Sequence, residues 1–197
     1  MSAWDAGARS IADFSGNGWF AFDVQASISG GAVVGLNDVD GGPSPVDINH
    51  AFQITTGQWR IYENGAAKSA YTPFSGTQTF RILRYDNVIY YMVGSTPSTH
   101  PDIPFALPAQ VVYTTPATVF GTVFLDTSLF SPGDSVWDTV CTTTLPGLAI
   151  DLIMEYMTTG GTSTAPTVND YVAAGIVGIT ESNLAAMNAA VAASMWP

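Results

Sequence analysis

Cysteine is almost missing from this chain: Cys141 stands alone, so no disulfide can close within it and no redox compartment is encoded. Its plainest role is that of a small buried hydrophobe. Basic residues are scarce too. Five Lys and Arg face 16 Asp and Glu, a net charge of −11, which repels nucleic acid and anionic membrane surfaces at long range. Neither is expected as a partner. No run approaches the roughly 18 apolar residues of a membrane span, and Met1 to Phe14 has neither the basic nor the apolar region of a secretory signal. Export by a signal peptide within this chain is therefore not expected.

Glutamate and histidine are equally thin. A glycosidase working through two carboxylates holds them at a fixed separation across the scissile bond. No Glu-x-Asp-x-x-Glu run occurs, and the three Glu are Glu63 in a turn, Glu155 and Glu181. His50 and His100 lack metal-ligand spacing, and Cys141 has no neighbouring base in the sequence. These residues read as structural and the chain as non-enzymatic.

What is abundant points to strands and turns. Of 197 residues 47% are apolar and only 11% charged, with 19 Gly and 12 Pro, a profile of a mainly β globular chain with one large unit and one small one. Gln58 to Met92 alternates apolar and polar side chains, turns at Glu63-Asn64-Gly65 and Asp86-Asn87, and reads as an antiparallel meander. A two-residue turn at Asp86-Asn87 sets Tyr85 opposite Val88, Leu83 opposite Tyr90 and Ile82 opposite Tyr91. Phe80, Ile82, Ile89, Tyr91 and Val93, with Arg84, then share one face; Arg81, Leu83, Tyr85, Val88, Tyr90 and Met92 share the other. Both faces are too apolar for either to be bare, so the second is covered by the same domain or used by a ligand or partner.

Further strands are expected at Ser10 to Asp13, Gly18 to Ala26, Ala32 to Leu36, Ile48 to Thr55, Gln110 to Tyr113, Thr118 to Leu125 and Ser135 to Thr142, nine or ten in all. The prolines between Gly94 and Pro108 describe a crossing loop. The fold class is mainly β, an antiparallel jelly-roll sandwich over residues 1–142. A connecting segment and linker follow over 143–166, then a short helical module of two helices over 167–197. Ala149 to Thr158 reads as an edge strand or a short helix. Thr167 with Asp170, and Thr180 with Glu181, are expected N-caps. Leu184, Met187, Val191 and Met195 form a stripe that docks on the sandwich itself or on a neighbouring subunit.

Two candidate sites stand out. Asn37, Asp38 and Asp40 gather hard oxygen donors beside Gly41-Gly42, which suits calcium or a plain Asx-Gly turn. Arg60, Tyr62, Arg81, Tyr85 and Tyr90 offer flat rings and cations on a sheet, suited to a carbohydrate, a subunit contact or intradomain packing. No other cofactor is expected.

Trp4-Asp5-Ala6-Gly7-Ala8-Arg9-Ser10, Gly18-Trp19-Phe20-Ala21-Phe22, Val34-Gly35-Leu36-Asn37, Ile61-Tyr62-Glu63-Asn64-Gly65, Phe80-Arg81-Ile82 and Val88-Ile89-Tyr90-Tyr91 follow one another as in concanavalin A-like (laminin G-like) jelly-roll domains. The chain resembles those found in phage virion and bacterial surface proteins. Met92-Val93-Gly94 departs from the Lys-Asn-Gly that many relatives carry there. Asp170 to Thr180 with Asn183 to Asn188 resembles a small Ala-rich helical module of large surface and virion proteins. The resemblance implies a virion subunit of tail, fibre or head spike, assembled in the host cytoplasm and exposed extracellularly. Its implied partners are other virion subunits in a homo-oligomer, and a cell-surface glycan; the alternative is a carbohydrate-binding adhesin module.

Overall fold

The computed structural model describes residues 4, 6–96, 98–101, 103–107, 109–119, 121–143, 146–174 and 176–194. The chain divides into two compact units, Met1–Ser98 with Leu107–Thr143, and Thr99–Ala106 with Thr144–Pro197.

The first unit is an antiparallel jelly-roll sandwich of two sheets. One sheet contains β1 (Ala6–Phe14), β3 (Ala32–Asn37), β4 (His50–Thr55), β5 (Gln58–Glu63), β6 (Ala66–Ala67), β7 (Thr72–Pro73) and β13 (Val123–Leu129), in the order β1-β13-β3-β4-β5-β6 with β7 also on β5. The other contains β2 (Gly18–Gln25), β8 (Thr77–Tyr85), β9 (Val88–Val93), β12 (Gln110–Pro116) and β14 (Trp137–Thr142), in the order β12-β9-β8-β2-β14. Alternation decides what each strand buries. Phe20, Phe22 and Val24 of β2 enter the core while Trp19 and Asp23 point away from it. Phe22 stacks on Phe80 at 5.7 Å, and Phe52 of the facing sheet meets Phe80 at 4.9 Å and Tyr91 at 5.3 Å.

The β8-β9 register is the expected one, Tyr85 with Val88, Leu83 with Tyr90 and Ile82 with Tyr91. Asp86 and Asn87 both take positive φ, 48° and 61°, as a type I′ turn requires. The hairpin's second face is closed in part: Leu83, Tyr90 and Met92 are at most 1% exposed, while Arg81, Tyr85 and Val88 are half-buried. The longer meander is not continuous, however. β5 belongs to the first sheet and β8 to the second, because the segment after the Asn64-Gly65 turn pairs back on β5 through β6 and β7 before the chain changes sheet.

Other boundaries shift as well. The strand expected from Thr118 starts at Val123, since Thr118 is held instead by His50, to which its N–H and hydroxyl lie at 3.1 and 2.8 Å from Nε2. The proline-rich crossing loop holds a small pair of strands, β10 (Ser98–His100) and β11 (Ile103–Leu107). Fourteen strand segments occur among the described residues, short pieces raising the number above nine or ten.

In the second unit α1 (Pro146–Thr158) packs against α2 (Val168–Ala173) and α3 (Leu184–Ala193). The ambiguous Ala149 to Thr158 is thus helical. Thr167 and Asp170 form a reciprocal capping box at α2, as their spacing predicts. Thr180 does not cap α3; the N-cap is Asn183, whose Oδ1 accepts the Thr180 N–H at 2.7 Å. Tyr171 is fully buried and donates to Asn188 Oδ1 at 2.6 Å, tying α2 to α3. Leu184, Met187 and Val191 are half-buried in this unit, and Met195 lies outside the described residues.

A polar chain crosses the sandwich core. Glu63 of β5 accepts the Tyr91 hydroxyl from the opposite sheet at 2.8 Å, and its same Oε1 lies 3.3 Å from His50 Nδ1. The Thr118 N–H needs an acceptor at His50 Nε2, so the imidazole is neutral with its proton on Nδ1, donating to Glu63. Burial first, then the Glu63 charge and hydrogen bond, hold the Tyr91 phenol well above its ordinary pKa. A raised value stabilises the fold below the unfolded pKa of about 10 and is lost as pH rises through the folded one. Tyr91→Phe is expected to lose about 1–2 kcal/mol in urea unfolding at neutral pH, the cost of an unmade buried bond. The gap to wild type should narrow above about pH 10; a gap that stays constant contradicts this role.

Candidate functional site

The five residues expected on one ligand face fall on two sheets. Arg60 and Tyr62 lie on the outer face of the first sheet, both half-buried, with the Arg60 guanidinium 4.4 Å over the Tyr71 ring. Arg81, Tyr85 and Tyr90 belong to the second sheet. Tyr90 is 1% exposed, so its ring has no surface for a ligand. Arg81 donates to the Gly94 carbonyl and sits 5.4 Å over Trp19; burial lowers its pKa against the raising effect of Asp23. Tyr85 is half-buried at the end of β8. The shared face is corrected for the same reason as the meander: the chain changes sheet between β5 and β8.

Two of the three calcium candidates, Asn37 and Asp40, are engaged by other groups. Asn37 is buried, its Nδ2 donating at 2.7 Å to both the Val39 carbonyl and Asp126 Oδ2, and its Oδ1 accepting the Asp38 N–H at 3.1 Å. Asp40 faces Arg9 at 3.7 Å and accepts the Gly42 N–H at 3.3 Å. Among the described residues no group of three or more His, Cys, Asp or Glu is placed to hold a metal. The loop has the bonding of an Asx-Gly turn.

A hollow of about 170 Å³ opens elsewhere in the sandwich unit, where the Ser29-Gly30-Gly31 turn meets the loop before β14. Its walls include Trp137, Gln25, Ser27, Ser29, Ser135 and Asp134. Register places Trp137 opposite Asp23 on β2, so the indole stands on the outer face of the second sheet beside the end of that strand. Gln25, Ser27, Ser29 and Ser135 are exposed and Trp137 is half-buried. A second hollow of about 250 Å³ shares Gln25 and Ser27 and continues to Gly76 and Thr77. An indole with amide and hydroxyl groups around it presents one apolar plate and several hydrogen-bonding positions.

Asp134 builds this hollow. It is 8% exposed and its carboxylate accepts five donors. Ser29 N–H, Ser29 hydroxyl and Gly30 N–H reach Oδ1 at 3.0, 3.0 and 3.2 Å; Gly31 and Ser131 N–H groups reach Oδ2 at 2.8 and 3.0 Å. A side chain on Gly30 would collide with Ser131 and with Asp134 Oδ2, so the approach requires glycine there. The sequence marks both segments as turns, Ser29-Gly30-Gly31 and Ser131-Pro132-Gly133-Asp134, but not that they meet. Trp137, Gln25 and Asp134 were missed for that reason; the one legible signal is a carboxylate after Pro-Gly.

No family model and no curated protein matches the chain. Solved structures are similar to it at low identity. The SPRY domain of human HERC1 aligns with a TM-score of 0.45 and 9% identity over 70% of this chain and 81% of that one. The carbohydrate binding module CBM66 from Bacillus subtilis gives 0.39 and 12% over 73% and 81%. Xenopus laevis galectin-Ib gives 0.40 and 8% over 70% and 100%. The sandwich assignment rests on the chain's own strand order.

Burial alone would push the Asp134 carboxyl up, but the bonds from Gly31, Gly30 and Ser29 outweigh it and hold the pKa below its ordinary value. A depressed value stabilises the fold above the unfolded pKa of about 3.9 and is lost as pH falls through the folded one. Asp134→Asn turns an amide N–H toward these donors and is expected to cost about 2 kcal/mol at neutral pH. In urea unfolding the deficit should shrink as pH falls below about 4. A deficit independent of pH contradicts an ionised clamp.

Proposed function

We propose that this chain is a non-catalytic glycan-binding domain whose saccharide contact is the Trp137 hollow. The supporting observation is the grouping of one indole plate with Gln25, Ser27, Ser29 and Ser135 in a concave site. Sugars present an apolar ring face and a rim of hydroxyls, which this combination matches. Among the described lining residues the one carboxylate, Asp134, already accepts five protein donors and has no second carboxylate to work with, which favours binding over hydrolysis.

A virion subunit that attaches to a host surface glycan is the finer form of this reading, with an adhesin module as its alternative. Detection of the chain in purified particles, by mass spectrometry, would support the virion form, and its absence there would leave the adhesin form.

Trp137→Ala is expected to lower binding on a glycan array by about five- to thirtyfold, because stacking supplies on the order of 1–2 kcal/mol. The thermal unfolding midpoint should stay near that of wild type. Arrays on which wild type binds nothing, or binds as well without the indole, sink the proposal.

A further inference from the structure

Charge is segregated within the sandwich. Between Ala51 and Arg84 the sequence has four basic residues and one acidic residue, Glu63, in a chain of net charge −11. Glu63 is 5% exposed and engaged by Tyr91 and His50, so its charge is turned inward. Arg84 is 2% exposed and donates to the carbonyls of Gly16, Val119 and Gly121. Arg81 is tied to the Gly94 carbonyl beside Asp23. Arg60 and Lys68 remain; the Lys68 N–H donates to the carbonyl of Ile61, a core residue, at 2.9 Å, whereas Arg60 is on the outer face of β5.

Arg60 is held in one orientation. Its Nε donates to Oε1 of Gln53, its cross-strand neighbour, at 2.7 Å, and the planar group lies 4.4 Å over the Tyr71 ring. Its two terminal nitrogens make no hydrogen bond to a described residue, and neither ion pair among the described residues involves it. A guanidinium fixed through Nε and one face keeps its terminal fork, the edge that matches a carboxylate in two parallel bonds. Tyr71 is 39% exposed, and Tyr62, two residues along β5, is half-buried on the same sheet face as Arg60.

We infer that this face is a second binding site, specific for a carboxylate carried on a sugar ring. Arg60 takes the carboxylate through its terminal fork, and Tyr71 with Tyr62 receives the ring. The carboxylate part stands on the Arg60 geometry alone; the sugar part rests on the glycan-binding reading above.

The test is an NMR titration of the full-length labelled chain with sodium glucuronate, glucose and sodium acetate. The Arg60 Nε–Hε and Tyr71 ring signals are expected to move saturably with glucuronate and not with glucose. Acetate should bind about tenfold more weakly, lacking the ring. Arg60→Gln should abolish the response. Arg60→Lys, which keeps charge but not the fork, should weaken it about tenfold. Trp137→Ala should leave it intact, so loss of array binding in that variant reports on the other hollow alone. No saturable movement, or a response that survives Arg60→Gln, overturns the site. Acetate binding as tight as glucuronate overturns the saccharide assignment.

Discussion

One carboxylate sets the geometry on which the candidate glycan site depends. Asp134 gathers four backbone N–H groups and a hydroxyl from two turns a hundred residues apart, and in doing so fixes where β3 leaves its turn and where β14 begins. Backbone donors at the mouth of a sandwich need acceptors, and a single ionised group supplies them all. The consequence is that both turns line one hollow with the Trp137 indole. The bonds from Gly31, Gly30 and Ser29 also hold the carboxyl below its ordinary pKa.

The charges of this chain divide by place. Most carboxylates stay at the surface and make it acidic, while the basic residues are concentrated on strands β5 and β8 and the loop between them. Arg84 is used inside, where carbonyl oxygens replace a counter-ion, and Arg60 is used outside, locked by Gln53 and Tyr71. A guanidinium is suited to both uses because it stays charged when buried and is planar enough to stack. The core tie from Glu63 to Tyr91 crosses between sheets, and among the described residues no carboxylate forms an ion pair with Arg60.

How much of this was legible follows from range. Register within β8 and β9, the Asp86-Asn87 turn and the Thr167 capping box depend on neighbours a few residues apart, and the alternation and cap spacing announce them. Which sheet a strand joins is not a local property. β5 and β8 have the same alternation, and only the return of β6 and β7 onto β5 shows that the chain has changed sheet. The ligand face assembled from Arg60, Tyr62, Arg81, Tyr85 and Tyr90 failed on that point, and Tyr90 failed again on burial, since alternation says which side a ring takes but not what covers it. The Trp137 hollow was invisible for a related reason, its two turns being adjacent only in space.

The central claim is that a saccharide seats on the Trp137 indole. The most direct measurement is a crystal structure of the chain with a bound glycan selected by array binding. The account predicts a sugar ring stacked on Trp137 with hydroxyls bonded to Gln25 and to Ser27, Ser29 or Ser135, the Asp134 clamp unchanged. A ring seated elsewhere on the sandwich, with the Trp137 hollow empty, would contradict it.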